Sequence, residues 1–106
     1  MPEQSESQFI YVFEPVRPEL ITDADAWTEE DTRIAGEHFA YLHRATQDGI
    51  VILAGRSLDG EGPAVVIFEA DSEDKARGFM EADPFVTGGL MRAKLHPFRA
   101  ALVRSG

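Results

Sequence analysis

The chain has 106 residues, the usual size of one domain, and its 43% hydrophobic and 27% charged content is ordinary globular usage that excludes wholesale disorder. It contains no cysteine, which excludes disulfides and thiolate metal sites and makes the cytoplasm the natural compartment. A net charge of −9, from 19 acidic and 10 basic residues, repels phosphate backbones and anionic lipid, so neither nucleic acid nor a membrane is expected as a partner.

Residues 1–8 are polar and expected to be flexible; with no basic region and no apolar run they do not read as a signal peptide. No stretch approaches the ~20 apolar residues of a membrane helix. Phe9 to Phe13 is β-branched and aromatic throughout and stops at Pro15, which predicts a strand covered on both faces. Residues 15–27, with two prolines, three acids and no helical period, predict a loop. Trp27 stands at its end, placed to pack over the domain or down onto a pocket.

Thr28 followed by Glu29, Glu30 and Asp31 predicts a helix N-cap, with acids at the positive end of the dipole. The helix should run to about Asp48 and stop at Gly49, carrying Ile34, His38, Tyr41, Leu42 and Ala45 on one arc and His43 toward solvent. Ile50 to Ala54 predicts a second strand, and Asp59-Gly60 and Gly62 give Gly55 to Pro63 the chemistry of a hairpin loop. Ala64 to Glu69 is then an antiparallel third strand. Ser72 caps a second helix from Glu73 to about Ala82, with Ala76, Phe79 and Met80 inward. Asp83-Pro84-Phe85 ends that helix or starts a new turn, and Gly88-Gly89 supplies a bend. Leu90 to Leu95 is a fourth strand ahead of Pro97, and residues 98–103 read as a tail strand.

The order β-α-β-β-α-β, with right-handed crossovers, specifies an α+β, ferredoxin-like split arrangement: a four-stranded antiparallel sheet with two helices on one face, formed by residues 9–104. The strands show little polar alternation, so the other sheet face needs a cover. A second copy of the same sheet is the economical one, and a homodimer burying Val12, Ile52 and Val66 is expected.

His38 sits mid-arc on the first helix, so it is at least partly buried. A core histidine bonded to backbone or to a tyrosine fits the pattern as well as a functional one does. Asp83 continues the inner face of the second helix at its C-terminus, where the dipole disfavours a carboxylate, and such rule-breaking positions are often functional. Asp before Pro is equally a plain N-cap of a short turn. The fold brings both residues to the inner aspect of the helices, where a carboxylate bonded to an imidazole fixes its tautomer and suits it to proton abstraction.

Other chemistries find little support. His38, Asp83 and His96 lack HxH, HxxxH and HExxH spacing, so no metal and no other cofactor is expected. Ser57, Ser72 and Ser105 have no nucleophile-elbow context. The glycines at 60, 62, 88 and 89 precede no helix in a phosphate-loop pattern. Arg56 is placed to hold an anionic substrate at the mouth of the second strand, although a solvated loop arginine is the commoner case. RNA-binding domains share the fold, but the acidic balance and the missing basic-aromatic strand motif argue against them.

His38-Phe39-Ala40-Tyr41-Leu42, Asp48-Gly49-Ile50-Val51-Ile52-Leu53-Ala54-Gly55, Ala82-Asp83-Pro84-Phe85-Val86, Gly89-Leu90 and His96-Pro97-Phe98 occur in that order. Over residues 9–100 this pattern resembles the YCII-related (YciI-like) family. The resemblance implies a dimeric α+β barrel and a cleft in which a histidine and an aspartate, here His38 and Asp83, form the acid–base pair. One branch of that family is associated with dehydrochlorination of a chlorinated hydroxyquinol. The chain departs from the family at Ala35, often arginine, at Arg56, often proline, and in a longer segment before the first helix.

The expected function is therefore proton transfer of lyase or hydrolase type on an unknown small molecule, with Tyr41, Arg56 and Phe85 contacting it. The alternative is a non-catalytic small-molecule-binding or dimerisation module in which the pair is only structural. A pair at the base of an open pocket favours the first, and a pair sealed in the core favours the second.

Overall fold

The computed structural model describes residues 7–104. Its elements are β1 (Gln8–Pro15), α1 (Glu19–Thr22), α2 (Glu29–Gln47), β2 (Val51–Arg56), β3 (Ala64–Glu69), α3 (Glu73–Glu81), α4 (Pro84–Thr87) and β4 (Met91–Pro97), with a 3₁₀ turn at Ala24–Ala26. The strands lie in the order β2-β3-β1-β4, every neighbouring pair antiparallel, which is the split β-α-β-β-α-β arrangement.

Residues directly opposite in an antiparallel pair share a sheet face. Phe9 lies opposite Phe68, Tyr11 opposite Val66 and Leu95, and Phe13 opposite Ala93, so one face of the sheet is aromatic and aliphatic. Leu42 and Ala45 of α2 and Ala76 and Met80 of α3 pack on that face. Each large apolar side chain sealed there contributes about 1.5–3 kcal/mol. A smaller cluster joins Leu20 of α1 to Ile34, Leu90 and Met91, with Phe13, Trp27 and Phe85 packed against it.

The helix boundaries follow from side-chain chemistry. Thr28 Oγ1 accepts from the Asp31 N–H at 3.0 Å and Asp31 Oδ2 accepts from the Thr28 N–H at 3.0 Å, a reciprocal capping box. Arg17 Nη2 also donates to Asp31 Oδ2 at 2.6 Å, tying the preceding connection to the start of α2. The Thr28 backbone bond, and then Arg17, hold the Asp31 carboxyl below the usual carboxylate range. At the far end Gly49 takes a φ of +83°, and the Gly49 and Ile50 N–H groups bond to the carbonyls of Thr46 and Ala45. This Schellman closure uses the left-handed region that glycine enters without strain.

Several expectations change. The 15–27 connection is not a plain loop, because α1 and the 3₁₀ turn form within it once Leu20 has a core to enter. β2 runs from Val51 to Arg56, since the Ile50 N–H closes the helix instead. Residues 98–103 form no strand: Pro97 ends the β4 ladder, only Phe98 and Ala100 are tethered, to Gln8, and Leu102 is 96% exposed. Most of the N-terminal stretch expected to be flexible lies outside the described residues, and Gln8 already belongs to β1. Val66, expected at a dimer face, is fully buried on the helix-covered face, because its register with Tyr11 fixes that side.

Candidate active site

The backbone of Asp83 closes α3, its N–H donating to the Met80 carbonyl at 3.2 Å, while its side chain opens α4 by accepting from the Phe85 N–H at 2.9 Å. The two sequence readings of this residue, helix end and cap, are thus both true. The same oxygen, Oδ1, lies 2.7 Å from His38 Nδ1. The other, Oδ2, accepts from the Tyr11 hydroxyl at 2.8 Å. Asp83 and Tyr11 are both fully buried. Burial, and then the charge of Asp83, push the Tyr11 phenol far above its ordinary range, so it stays a donor. With Tyr11 and Phe85 donating to it, the carboxylate accepts at every contact. The network therefore assigns the proton of neutral His38 to Nδ1 and the lone pair to Nε2.

His38 reaches this position from the middle of α2. Its ring stacks on Phe85, with centroids 3.7 Å apart and planes 13° apart, and meets the edge of Phe13 at 5.5 Å. Among the described residues Nε2 has no hydrogen-bond partner, and no buried side-chain nitrogen or oxygen is left without one, so Nε2 opens to a cavity. The cavity measures about 1080 Å³, at the upper end for small-molecule sites. Ala35, Phe39 and Leu42 of α2 form one wall, and Ala54, Ala64 and Val66 of the sheet form the floor. Trp27 and Leu20 close a side, held together by the bond from Trp27 Nε1 to the Leu20 carbonyl at 2.9 Å.

Of the residues singled out in the sequence, His38, Arg56 and Phe85 line the cavity and Asp83 stands directly behind His38. Tyr41, expected at the substrate, lies elsewhere. Three residues beyond His38 is a step of about 60° round the helix, and this turns Tyr41 toward α3. There its hydroxyl donates to the Phe79 carbonyl at 2.8 Å and its ring stacks on Phe79. Burial, and then Asp83, push its phenol up to about 12. His43 is exposed as expected, yet it stands at the cavity rim, stacked on Phe39. His96 pairs with Ile10 on the opposite sheet face, away from the pair. Tyr11 was not singled out; the available signal was a phenol in an otherwise apolar strand, whose hydroxyl needs a buried partner. Among the described residues no three His, Cys, Asp or Glu side chains gather to hold a metal ion. Among the described residues no helix is long and apolar enough to cross a membrane.

Among solved structures the chain is similar to 5-chloro-2-hydroxyhydroquinone dehydrochlorinase from Burkholderia phenoliruptrix, in complex with 2,5-dihydroxybenzoquinone. The TM-score is 0.58 at 22% identity, over 87% of this chain and 93% of that one, and establishes a shared fold. Among curated proteins no sequence matches. The model of the YCII-related domain matches residues 18–99, a span that contains the His38–Asp83 pair and most of the cavity wall, and the chain belongs to that family.

Proposed function

We propose that the protein is an enzyme that moves a proton on a small, flat, oxygenated molecule, with Nε2 of His38 as the transferring atom. The observation that carries this reading is the two-sidedness of His38: Nδ1 is held by a buried carboxylate while Nε2 faces an open cavity. Neutral His38 takes a proton from a hydroxyl or an activated C–H at Nε2. Asp83 then faces the imidazolium so formed and stabilises it, and the proton is returned to a different atom or to a leaving group. Asp83 and Tyr11 act as positioning residues, and Phe85 fixes the ring plane. The dehydrochlorinase of similar fold binds a dihydroxybenzoquinone, which makes hydroxylated and chlorinated quinols the first candidates to assay.

Turnover of such a panel by the intact chain is the test. His38→Gln should lower the rate about 10²–10⁴-fold, the usual worth of a positioned general base, while ligand binding persists. Equal rates for the two proteins would reject the reading.

The protein is also proposed to work as a homodimer. Ile10, Val12, Val65 and Ile67 share the sheet face opposite the helices, next to Leu53, which is 52% exposed. A second copy would cover them. Light scattering at micromolar concentration should give twice the 11.7 kDa chain mass; the single-chain mass would reject the dimer.

A further inference from the structure

The distribution of charge around the cavity is unlike that of the chain. Of 106 residues 19 are Asp or Glu, yet none of the 25 described residues that line the cavity is acidic. The wall carries Arg56, His38 and His43 instead, two of the three histidines in the chain. Arg17 pairs with Asp31, Arg33 with Glu30 and Glu37, Lys75 with Asp71 and Arg77 with Glu73, whereas the remaining basic side chains, Arg56 among them, make no ion pair among the described residues. Arg56 is the one Lys or Arg among the described residues that line the cavity, and no carboxylate lines that wall to neutralise it.

Its placement is set by the sheet. Arg56 ends β2 opposite Ala64, and Ala64 shares its face with Val66 and Phe68, the face beneath α2 and α3. The guanidinium side chain therefore leaves the sheet on the cavity side. The neighbouring floor is made by Ala54 and Ala64, whose small side chains leave room beside it. The hairpin beyond is closed by the bond from the Ser57 N–H to the Pro63 carbonyl at 3.0 Å, so Arg56 stands at an anchored strand end.

We propose that the molecule bound here is an organic anion, a flat apolar body carrying a carboxylate, and that Arg56 is the residue that selects it. The body lies among Phe13, Trp27, Phe39 and Phe85, and the carboxylate meets the planar fork of Arg56, which matches it bidentately. The acid-free wall keeps repulsion away from that charge. The proposal rests on the reading of His38 as the group that meets the reacting end of the same molecule.

Two probes of the same shape test it, 2,5-dihydroxybenzoate and 2,5-dihydroxybenzamide, titrated into the intact chain by calorimetry with His38 side-chain resonances followed by NMR. The benzoate should bind at least about tenfold more tightly, the worth of a charge-assisted bond. Arg56→Gln should bring it to within about twofold of the amide while the His38 resonances still report the bond to Asp83. Equal binding of the two probes, or a preference that survives Arg56→Gln, overturns the anion proposal and leaves the His38 reading standing if both still shift the His38 resonances. Failure of both to bind at millimolar concentration overturns the proposed substrate class, whereas the role of His38 is judged separately by the His38→Gln turnover assay.

Discussion

The two ends of the space between α2 and the sheet follow opposite rules. At one end Tyr11, Asp83, Phe68, Phe79 and Tyr41 are packed together, and each polar side-chain atom has a partner. At the other end small floor residues leave a cavity, Arg56 and His43 face it unpaired, and Phe39 is 69% exposed at its rim. The first end resembles a domain core and the second a binding site, and His38 is the boundary between them. A functional group gains from such a position, because the sealed side holds its geometry and the open side gives it access.

The contrast is broken most severely at the sealed end. Asp83→Ala leaves the Tyr11 hydroxyl, His38 Nδ1 and the cap of α4 without their acceptor, and should cost about 3–5 kcal/mol in urea denaturation. Tyr11→Phe removes one donor and leaves Oδ2 buried and unpaired, and should cost about 1–3 kcal/mol. A cost below 0.5 kcal/mol for both, the range of about ±0.5 usual for surface changes, would mean that this end is not sealed.

Alkaline titration sharpens the same contrast. The chain has two tyrosines and both belong to the sealed end. Both folded values lie above the ordinary 10.0, so the stability tied to the neutral phenols is complete below that pH and is lost as pH rises through the folded values. Tyrosinate absorbance should stay absent near pH 10.0, where a free phenol is half ionised, and then appear together with loss of the fold. Ionisation of both tyrosines at that pH in a folded protein would show that the site is open to water on both sides.

The smallest effect on stability should come at the boundary. In His38→Gln the Asp83 carboxylate keeps its bonds from Phe85 and Tyr11. The loss should be about 1 kcal/mol, far less than its effect on turnover. A loss as large as that of Asp83→Ala would make His38 a structural residue.

The sequence made the boundary more legible than either side. His38 lay on the apolar arc of a well-capped helix and Asp83 broke the dipole rule, and these local signals placed both. Tyr11 reads in the sequence as one more apolar strand residue, because its role depends on an acceptor 72 residues away. Tyr41 was misplaced since helical spacing groups it with His38 but does not say which neighbour lies on either side of that arc. The 15–27 segment has no periodicity to read; its short helix forms because Leu20 finds Ile34 and Met91, contacts made by distant parts of the chain. Residues 98–103 have strand composition but no neighbour to pair with.

The hydrogen bonds at Asp83 have a consequence for the order in which the chain is assembled. They join residues 45 and 72 positions apart, from the first strand, the long helix and the start of the last short helix. Contacts of such sequence separation close large loops, and they form slowly compared with helices and hairpins. No fragment of the chain holds all three residues without nearly the whole fold between them. On a ribosome, His38 can acquire its partner only after Asp83 has emerged, so the orientation of its ring is set late in folding.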